Sequence, residues 1–261
     1  MVAQTVSVRD SIVLIPKQKG SKICLIVEDN RQKISGLGVY NPIKLKDIAY
    51  GKLVTMGRNQ YWILPATTKD QVDTITRKAQ IILPKDAALL VLYCDIKPGS
   101  KVVEGGLGSG ALTIALLNLV GNTGKVTSYE MRAEFAKIGS KNIQQTNLMS
   151  SWELKLKDIS KGISEKDLDA VILDIPEPWT VVEHGYHALR QGGVLAGYLP
   201  TMNQVERFVN TIKEHPFIEI RTYETLQREL IVGPGGVRPS FDMLGHTGYI
   251  TVARKVAENE E

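Results

Sequence analysis

Apolar residues in the first 68 positions fall in short runs that turn-forming residues interrupt. Ser11–Ile15 and Ile23–Val27 are apolar and partly β-branched, which favours extended strands. Asn41 and Pro42 belong to a series of glycine, asparagine and proline residues that separates such runs at short intervals. Closely spaced short strands are typical of a small barrel or sandwich. The pattern therefore predicts a small β-rich domain over residues 1–68.

From residue 69 the pattern changes to two linker helices, and from residue 101 to strands that alternate with helices. The linker helices are predicted at Lys69–Lys78 and Ala87–Cys94. The strands that follow are predicted at Lys101–Glu104, Lys125–Glu130, Trp152–Leu156, Ala170–Asp174, Val194–Leu199, Ile218–Leu230 and Thr247–Arg254, with a Gly/Pro-rich loop between the last two. Strand–helix alternation predicts an α/β fold with a doubly wound, Rossmann-like sheet over residues 69–261.

A glycine-rich loop follows the first strand of this sheet. It reads Gly106-Leu107-Gly108-Ser109-Gly110, and a helix is predicted to start at Ala111. Glycines allow a tight turn and a close approach of a ligand to the backbone, and a helix N-terminus attracts an anion. That anion could be the carboxylate of a methionine moiety or a dinucleotide pyrophosphate, and the spacing does not decide between them.

Three acidic positions follow later strands, so they should lie at the same edge of the sheet as the loop. Glu130 ends the second strand, where a carboxylate accepts hydrogen bonds from ribose hydroxyls, although an acid beside a helix start is the alternative. Asp158 follows the third strand and is either an acceptor for an adenine amine or a solvated loop residue. Asp174 opens the string Asp174–Trp179, in which two prolines stiffen the backbone, and this string is the strongest candidate reaction centre.

Charge is unevenly distributed, with ten Lys/Arg against four Asp/Glu in residues 1–68 and 22 against 24 in the remainder. A basic front end is able to hold a polyanion, or its lysines only protect strand edges. No apolar stretch reaches the roughly 18 residues that span a bilayer, which excludes a membrane class. Cys24 and Cys94 are far apart in no metal or redox spacing, and we expect free thiols rather than a disulfide.

Four strings give the chain a specific resemblance. They are Val103–Thr113, Leu173–Trp179, Tyr198–Thr201 and Arg238–Lys255. Together they resemble the tRNA adenine-N1 methyltransferases that modify adenosine 58 of the T-loop, some archaeal members of which also act at position 57. The resemblance runs from about Arg77 to Lys255 and implies a class I methyltransferase fold, S-adenosyl-L-methionine (SAM) as the cofactor, tRNA as the partner, a homotetramer and a cytoplasmic location.

The resemblance also implies roles for single residues. Asp174 would lie between the cofactor and the target base, and Tyr198 would help to frame the base pocket as the second catalytic residue. The cofactor would contact Ile82, Gly106, Gly108, Ser109, Gly110, Ala111, Glu130, Asp158 and Asp174. Leu83 stands where the family often has tyrosine, so an aromatic stacking partner is missing at that position. The chemistry needs no metal, and we expect none at His184 and His187.

Several side chains remain candidates for tRNA contact on charge or shape alone. Trp179 is either a wall of the base pocket or a core residue, and His246 is expected to hydrogen-bond its loop. The basic candidates are Lys17, Lys19, Lys22, Arg77, Lys78 and Arg238. The remaining alternatives are a SAM methyltransferase of another substrate, a catalytically silent tRNA-binding subunit, and a nicotinamide-dependent oxidoreductase.

Overall fold

The computed structural model describes residues 4–34, 36–78 and 80–258. Its first part contains six strands: β1 (Ser11–Pro16), β2 (Ile23–Ile26), β3 (Gln32–Ile34), β4 (Gly38–Tyr40), β5 (Leu53–Met56) and β6 (Asn59–Pro65). Four of them form an antiparallel sheet in the order β2-β1-β6-β5, and β3 pairs with β4. Ile12, Leu14 and Ile63 are fully buried in the core of this part.

Two helices lead from this part to the large sheet. Helix α1 (Thr68–Thr74) starts at a capping box, in which Thr67 and Asp70 each accept a hydrogen bond from the other's backbone N–H. It ends four residues earlier than predicted, because Thr76 leaves the helix and exchanges two hydrogen bonds with the amide of Asn142. Helix α2 (Pro84–Tyr93) has proline at its first position, where the missing N–H costs nothing.

The remaining elements begin with strands and helices that mostly alternate, as the sequence predicts, and end with four strands. They are β7 (Lys101–Gly105), α3 (Ala111–Val120), β8 (Lys125–Tyr129), α4 (Ala133–Ile143), β9 (Trp152–Lys155), β10 (Leu168–Leu173), α5 (Val182–Ala188), β11 (Leu189–Leu199), α6 (Met202–Lys213), β12 (Phe217–Glu224), β13 (Leu230–Gly233), β14 (Gly236–Pro239) and β15 (Tyr249–Lys255). Successive buried residues of β7 face opposite cores, with Val102 in one and Val103 in the other. Helices therefore cover both faces of the sheet.

Seven strands form this sheet in the order β12-β15-β11-β10-β7-β8-β9. Strands β7 to β11 are parallel, and β15 runs antiparallel to both of its neighbours. The chain winds outward from β7 through β8 to β9, and then returns to the other side of β7 with β10 and β11. Strand order thus reverses between β7 and β10, which is where open α/β sheets bind ligands. The α/β prediction is confirmed.

One predicted strand and one predicted loop are wrong. The strand expected at Ile218–Leu230 is two elements, since β12 ends at Glu224 and β13 starts at Leu230. The Gly/Pro-rich loop contains a hairpin, in which β13 and β14 pair up to Gly233 opposite Gly236. The glycines that suggested a loop form the tight turn of that hairpin, and Gly236 has a positive φ of 110° that favours glycine.

Candidate active site

The loop between β7 and α3 requires glycine for steric reasons. Gly106 has a φ of 92°, and a Cβ there would collide with the carbonyl oxygen of Asp174. At Gly108, with a φ of 52°, no described atom lies within 4 Å of the place a Cβ would take. Helix α3 starts after Gly110, and no side chain of the described residues caps its free N–H groups. The loop therefore presents open backbone and a helix N-terminus suited to an anion.

Glu130 is buried directly beside this loop. Its carboxylate accepts a hydrogen bond from the backbone N–H of Gly108 at 3.2 Å. It also accepts from the backbone N–H of Arg132 at 2.9 Å and from the Arg132 Nε at 3.3 Å. A carboxylate offers about four acceptor sites, so capacity remains for a ligand hydroxyl. Glu130 thus hydrogen-bonds the residue before α4 and also contacts the glycine loop. This geometry is compatible with both roles that the sequence offered, an acid beside a helix start and an acceptor beside the cofactor loop.

Glu104 lies deeper, inside the fold. Its Oε2 accepts hydrogen bonds from Thr113 Oγ1 at 2.6 Å and from Ser128 Oγ at 2.7 Å. Burial raises the pKa of this carboxyl to about 7, against the opposing effect of the two hydroxyls. The negative charges of Asp174 and Glu130 contribute to this rise of the Glu104 pKa. Glu104 therefore joins β7, α3 and β8 beneath the glycine loop.

Asp174 follows β10 at the switch point of the sheet. Its backbone N–H donates to the carbonyl of Gly105 at 2.8 Å, which ties the reaction-centre candidate to the glycine loop. The side chain stays open to the cleft, but the protein around it removes much of its hydration. This desolvation raises the pKa of Asp174 to about 6, while Arg132 lowers it and Glu130 raises it.

A cleft of about 680 Å³ brings separate parts of the sequence together around Asp174. Its described lining residues are Arg77, Lys78, Gln80, Ile81, Ile82, Leu83, Asp174, Tyr198, Pro200, Leu244, His246 and Thr247. Ile82, Asp174 and Tyr198 thus share one cavity, as the resemblance implies. The two basic candidates from the segment between α1 and α2 also lie at this cleft, and Lys78 forms an ion pair with Glu134.

Tyr198 is buried in the wall of the cleft and fixed by its hydroxyl. The hydroxyl donates to the backbone carbonyl of Thr247 at 2.7 Å and lies 3.3 Å from Asp86 Oδ2. Burial raises the pKa of Tyr198 well above its ordinary value, so the phenol is neutral near pH 7. The Tyr198 ring can form part of a pocket wall, whereas its hydroxyl proton is already donated to the Thr247 carbonyl.

Asp158 lies apart from this cleft. It caps a single helical turn over Ile159–Lys161 and accepts the Ser160 backbone N–H at 2.9 Å, which lowers the pKa of Asp158. A neighbouring cavity of about 560 Å³ contains Asp158 and Tyr129, and Asp174 is not among its described lining residues. Because the carbonyl of Tyr129 accepts the Gly106 N–H at 3.0 Å, this cavity begins beside the glycine loop.

Other candidates have structural partners that the sequence did not reveal. Lys22 pairs with Asp70 at 2.5 Å, whereas Lys17 and Lys19 are exposed around a cavity of about 490 Å³ in the N-terminal part. Trp179 packs on the core, and the guanidinium of Arg207 lies 4.2 Å from its ring centre. Arg238 lies on β14, outside the cleft, with its guanidinium over the ring of Phe241. Cys24 and Cys94 are free thiols.

The two histidines of the His-x-x-His string make no common site in the described structure. The His184 Nε2 lies 3.1 Å from the carbonyl of Ser160, and His187 is exposed. Among the described residues, no three His, Cys, Asp or Glu side chains cluster in a way that could hold a metal ion. No helix in the described ranges combines the length and the apolar character needed to cross a membrane.

Sequence reasoning missed a buried ion pair behind Tyr198. Asp86 is fully buried, and Lys85 Nζ lies 2.7 Å from its Oδ1. In the sequence these residues stand just before the helix predicted from Ala87, and no local signal distinguishes them from ordinary charges. His246 is a hydrogen-bonding residue, as predicted, but its partners are Glu224 at 2.6 Å and the carbonyl of Pro200 at 2.9 Å, which belong to neighbouring segments.

Comparison with known proteins assigns a family. A family model described as the tRNA methyltransferase complex GCD14 subunit matches residues 61–233. The tRNA (adenine(57)-N(1)/adenine(58)-N(1))-methyltransferase TrmI of Methanocaldococcus jannaschii is 36% identical, over 92% of this chain and 94% of its own length. A Thermus thermophilus tRNA (adenine(58)-N(1))-methyltransferase TrmI is 33% identical, over 72% of this chain and 74% of its own length.

Two solved structures share the fold. A Thermotoga maritima protein named a SAM-dependent O-methyltransferase superposes with a TM-score of 0.82 at 33% identity, covering 98% of this chain and 97% of that one. The Aquifex aeolicus tRNA (m1A58) methyltransferase TrmI superposes with a TM-score of 0.75, covering 98% of this chain and all of that one. At 24% identity, the second similarity supports the fold alone.

Proposed function

The chain belongs to the tRNA methyltransferase family of the GCD14 subunit, and we therefore infer that it transfers a methyl group from SAM to N1 of adenine 58 in tRNA. The name of the Methanocaldococcus relative also includes adenine 57, so both positions belong in the test. One geometric observation carries the assignment. The Asp174 N–H is bonded to Gly105, so the glycine loop and the carboxylate at the cleft form one continuous site.

The residues around the glycine loop fit a methionine-derived cofactor. The open backbone at Gly108 and the uncapped start of α3 at Ala111 suit the methionine carboxylate, together with Ser109 and Gly110. Glu130 suits the ribose hydroxyls, because it keeps free acceptor capacity beside Gly108. We further propose that Asp158 accepts from the adenine amine, in support of which its cavity adjoins the loop through Tyr129. Ile82 would cover the cofactor from the cleft side.

SAM supplies an activated methyl group, so the protein has to align and desolvate the acceptor base. Methylation at N1 makes the adenine ring cationic and its exocyclic amine more acidic. An ionised Asp174 that accepts from this amine stabilises charge that develops in the transition state. The neutral ring of Tyr198 forms a wall of the pocket that receives the base, which has to leave its stack in the T-loop.

The wider organisation of the molecule is part of the same proposal. Residues 1–68 would form a β-rich domain and residues 69–261 the methyltransferase domain. The exposed Lys17 and Lys19, with Arg77 and Lys78 at the cleft, would contact tRNA phosphates. The apolar hairpin of β13 and β14 supports a homotetramer, because such a surface is costly to leave in water. A tRNA substrate supports a cytoplasmic location.

The test is incubation with tritiated SAM and unmodified tRNA transcripts, followed by nucleoside analysis. We expect 1-methyladenosine to form. If only position 58 is modified, it should disappear when adenine 58 is replaced. If position 57 is also modified, it should disappear only when adenines 57 and 58 are both replaced. A ribose-methylated nucleoside in its place would favour the O-methyltransferase activity named for the Thermotoga structure. Labelled tRNA without 1-methyladenosine, over several tRNA species, would contradict the proposal.

A further inference from the structure

A buried carboxylate stands behind the cleft wall and is not needed for any step above. Asp86 is the third residue of α2 and has no exposed surface. Its Oδ1 accepts from Lys85 Nζ at 2.7 Å and from Thr225 Oγ1 at 3.1 Å. Its Oδ2 accepts from Thr247 Oγ1 at 2.8 Å and lies 3.3 Å from the Tyr198 hydroxyl. One carboxylate thus has four polar neighbours from four parts of the chain.

Lys85 closes the same network from the other side. Besides Asp86, its ammonium group donates to the Thr225 carbonyl at 2.8 Å and to Thr247 Oγ1 at 2.7 Å. Its side chain is almost completely buried, so both charges have left water. Burying two charges costs several kcal/mol unless each is satisfied by further hydrogen bonds. The Lys85–Asp86 pair therefore need not add to the stability of the fold, but its hydrogen bonds require a defined arrangement of the segments around it.

The segments joined by this pair are those that build one wall of the cleft. Tyr198 and Thr247 line the cleft directly, and Thr225 follows β12. A second contact joins the same three segments at the surface, since His246 lies between Glu224 and the carbonyl of Pro200. Packing leaves Tyr198 little freedom, because a Cβ at Gly248 would meet its ring at 2.5 Å. The wall is thus fixed by polar contacts from behind.

We propose, on the basis of the function proposed above, that Asp86 is a positioning residue for the target-base pocket. The Lys85–Asp86 pair holds Tyr198, Thr225 and Thr247 in one arrangement, and the pocket wall that receives the adenine depends on it. Asp86 touches neither substrate nor cofactor in this assignment. Its loss lowers turnover by loosening the wall, while the affinity for SAM is kept, because among the described hydrogen bonds Asp86 makes none to the glycine loop.

The chain offers a matched control for this idea. Asp70 is also the third residue of its helix, is also buried, and is also bound by a lysine, Lys22, at 2.5 Å. Its other partner is Thr67, at the end of the N-terminal part, and Asp70 is not among the described residues that line the cleft. Asp70→Asn therefore removes an equivalent buried charge without touching the pocket wall.

The experiment compares Asp86→Asn with Asp70→Asn in the full-length protein. We expect Asp86→Asn to lower kcat at saturating tRNA and SAM by tenfold or more, with the Kd for SAM within about threefold of the wild type. Asp70→Asn should keep kcat within about twofold, whatever it does to the melting temperature. Equal losses of kcat in the two variants, or unchanged kcat in Asp86→Asn, would overturn the proposal.

Amide hydrogen exchange provides a readout that does not depend on the reaction. Peptides that cover residues 198–200, 224–225 and 246–248 should exchange faster in Asp86→Asn and remain unchanged in Asp70→Asn. If the wild type forms no 1-methyladenosine but this difference appears, the proposed function fails and the positioning role stands. Unchanged exchange at these segments would remove the positioning role even for an active methyltransferase.

A milder variant keeps the proposal testable if Asp86→Asn does not fold. Thr225→Val removes one hydrogen bond to Asp86 Oδ1 and keeps the shape of the side chain. Thr225 is not among the described residues of the cleft lining, and its hydroxyl donates to Asp86, so the variant tests the network behind the wall. We expect a several-fold loss of kcat and faster exchange of residues 246–248. Wild-type values of both quantities would contradict the proposal.

Discussion

Asp174 is fixed by its backbone and left free at its carboxyl group. Its N–H is bonded to Gly105, and its carbonyl occupies the space that a side chain at position 106 would need. Glycine at 106 is therefore a condition for placing Asp174 where strand order reverses. The carboxyl group faces the cleft, where partial desolvation and Glu130 raise its pKa to about 6. Substitutions that alter only the carboxyl group of Asp174 should therefore lower turnover and leave the fold intact.

Asp174→Asn should reduce turnover by about 100-fold or more, because an amide cannot supply the charge that stabilises the transition state. Binding of SAM should stay within several-fold. In the wild type, kcat/KM should fall as the pH drops below about 6, since the protonated carboxyl no longer accepts from the base amine. Steady-state kinetics between pH 5 and 8 measure both effects. A variant with near-normal turnover would exclude Asp174 from the mechanism. So would a variant whose kcat/KM falls at low pH in the same way as that of the wild type.

At the scale of elements, Glu104 joins β7, α3 and β8. Thr113 lies in the first turn of α3 and Ser128 lies in β8, and both donate to Glu104 Oε2. Trp152, the first residue of β9, donates to Ser128 Oγ at 3.0 Å and extends the connection to the sheet edge. Since the pKa of Glu104 is raised from 4.5 to about 7, the folded protein binds this proton more tightly than the unfolded chain.

The raised pKa gives Glu104→Gln a pH-dependent effect on stability. Below about pH 4.5, Glu104 is protonated in both folded and unfolded protein, so the stabilisation from its proton is fully present and does not change with pH. As the pH rises to about 7, the folded wild type loses the proton of Glu104 and the stabilisation that this proton gives. A glutamine at position 104 cannot titrate, so the variant does not undergo this loss. The variant should therefore gain stability relative to the wild type between pH 5 and 8, by about 1–3 kcal/mol.

Urea unfolding at pH 5 and pH 8 measures this difference. Glu153→Gln is the control, because Glu153 is a partly exposed residue of β9 that pairs with Lys125 near the surface. The stability difference of Glu104→Gln from the wild type should change more between the two pH values than that of this control. A Glu104→Gln variant that becomes less stable relative to the wild type as the pH rises would show that the ionised carboxylate is favoured in the fold, contrary to its raised pKa.

At the scale of the molecule, the β13–β14 hairpin carries several exposed apolar side chains. Val232 and Val237 are paired across the hairpin and are 78% and 65% exposed. Leu230 and Phe241 are also largely exposed in the same part of the chain. Exposed apolar side chains concentrated in one hairpin and the loop after it favour an interaction site over a solvated loop. We assign it to contacts between copies of this chain in the proposed tetramer.

Replacing Val232 with Lys and Val237 with Glu should dissociate the assembly. The opposite charges keep the cross-strand pair favourable within the hairpin, but they cannot be buried cheaply between subunits. Light scattering should give a tetramer mass for the wild type and a smaller mass for the double variant. Val39→Glu, at an exposed valine of β4, should leave the mass unchanged. A monomeric wild type would refute the tetramer, and a tetrameric double variant would exclude the hairpin from the interface.

The sequence by itself determined the α/β architecture, the glycine loop and the position of Asp174. These features depend on local physics: the period of buried residues within strands and helices, the positive φ values that favour glycine, and the stiffness of a proline-rich turn. Each can be recognised within about ten neighbouring residues, so no long-range contact is needed to predict it. The small strands of the N-terminal part followed from the same alternation of apolar runs and turns.

Only the tertiary structure decided which polar residues act together. Tyr198 lies 3.3 Å from Asp86, a residue 112 positions away, and Lys22 is occupied by Asp70, 48 positions away. Asp158 follows its strand as predicted, yet it lies in the cavity beside the one that holds Asp174. Such pairings depend on where separate elements meet, and a buried carboxylate with four partners has the same local sequence as an exposed one. The resemblance placed Tyr198 at the proposed pocket, but only the tertiary structure brought the buried pair Lys85 and Asp86 behind it.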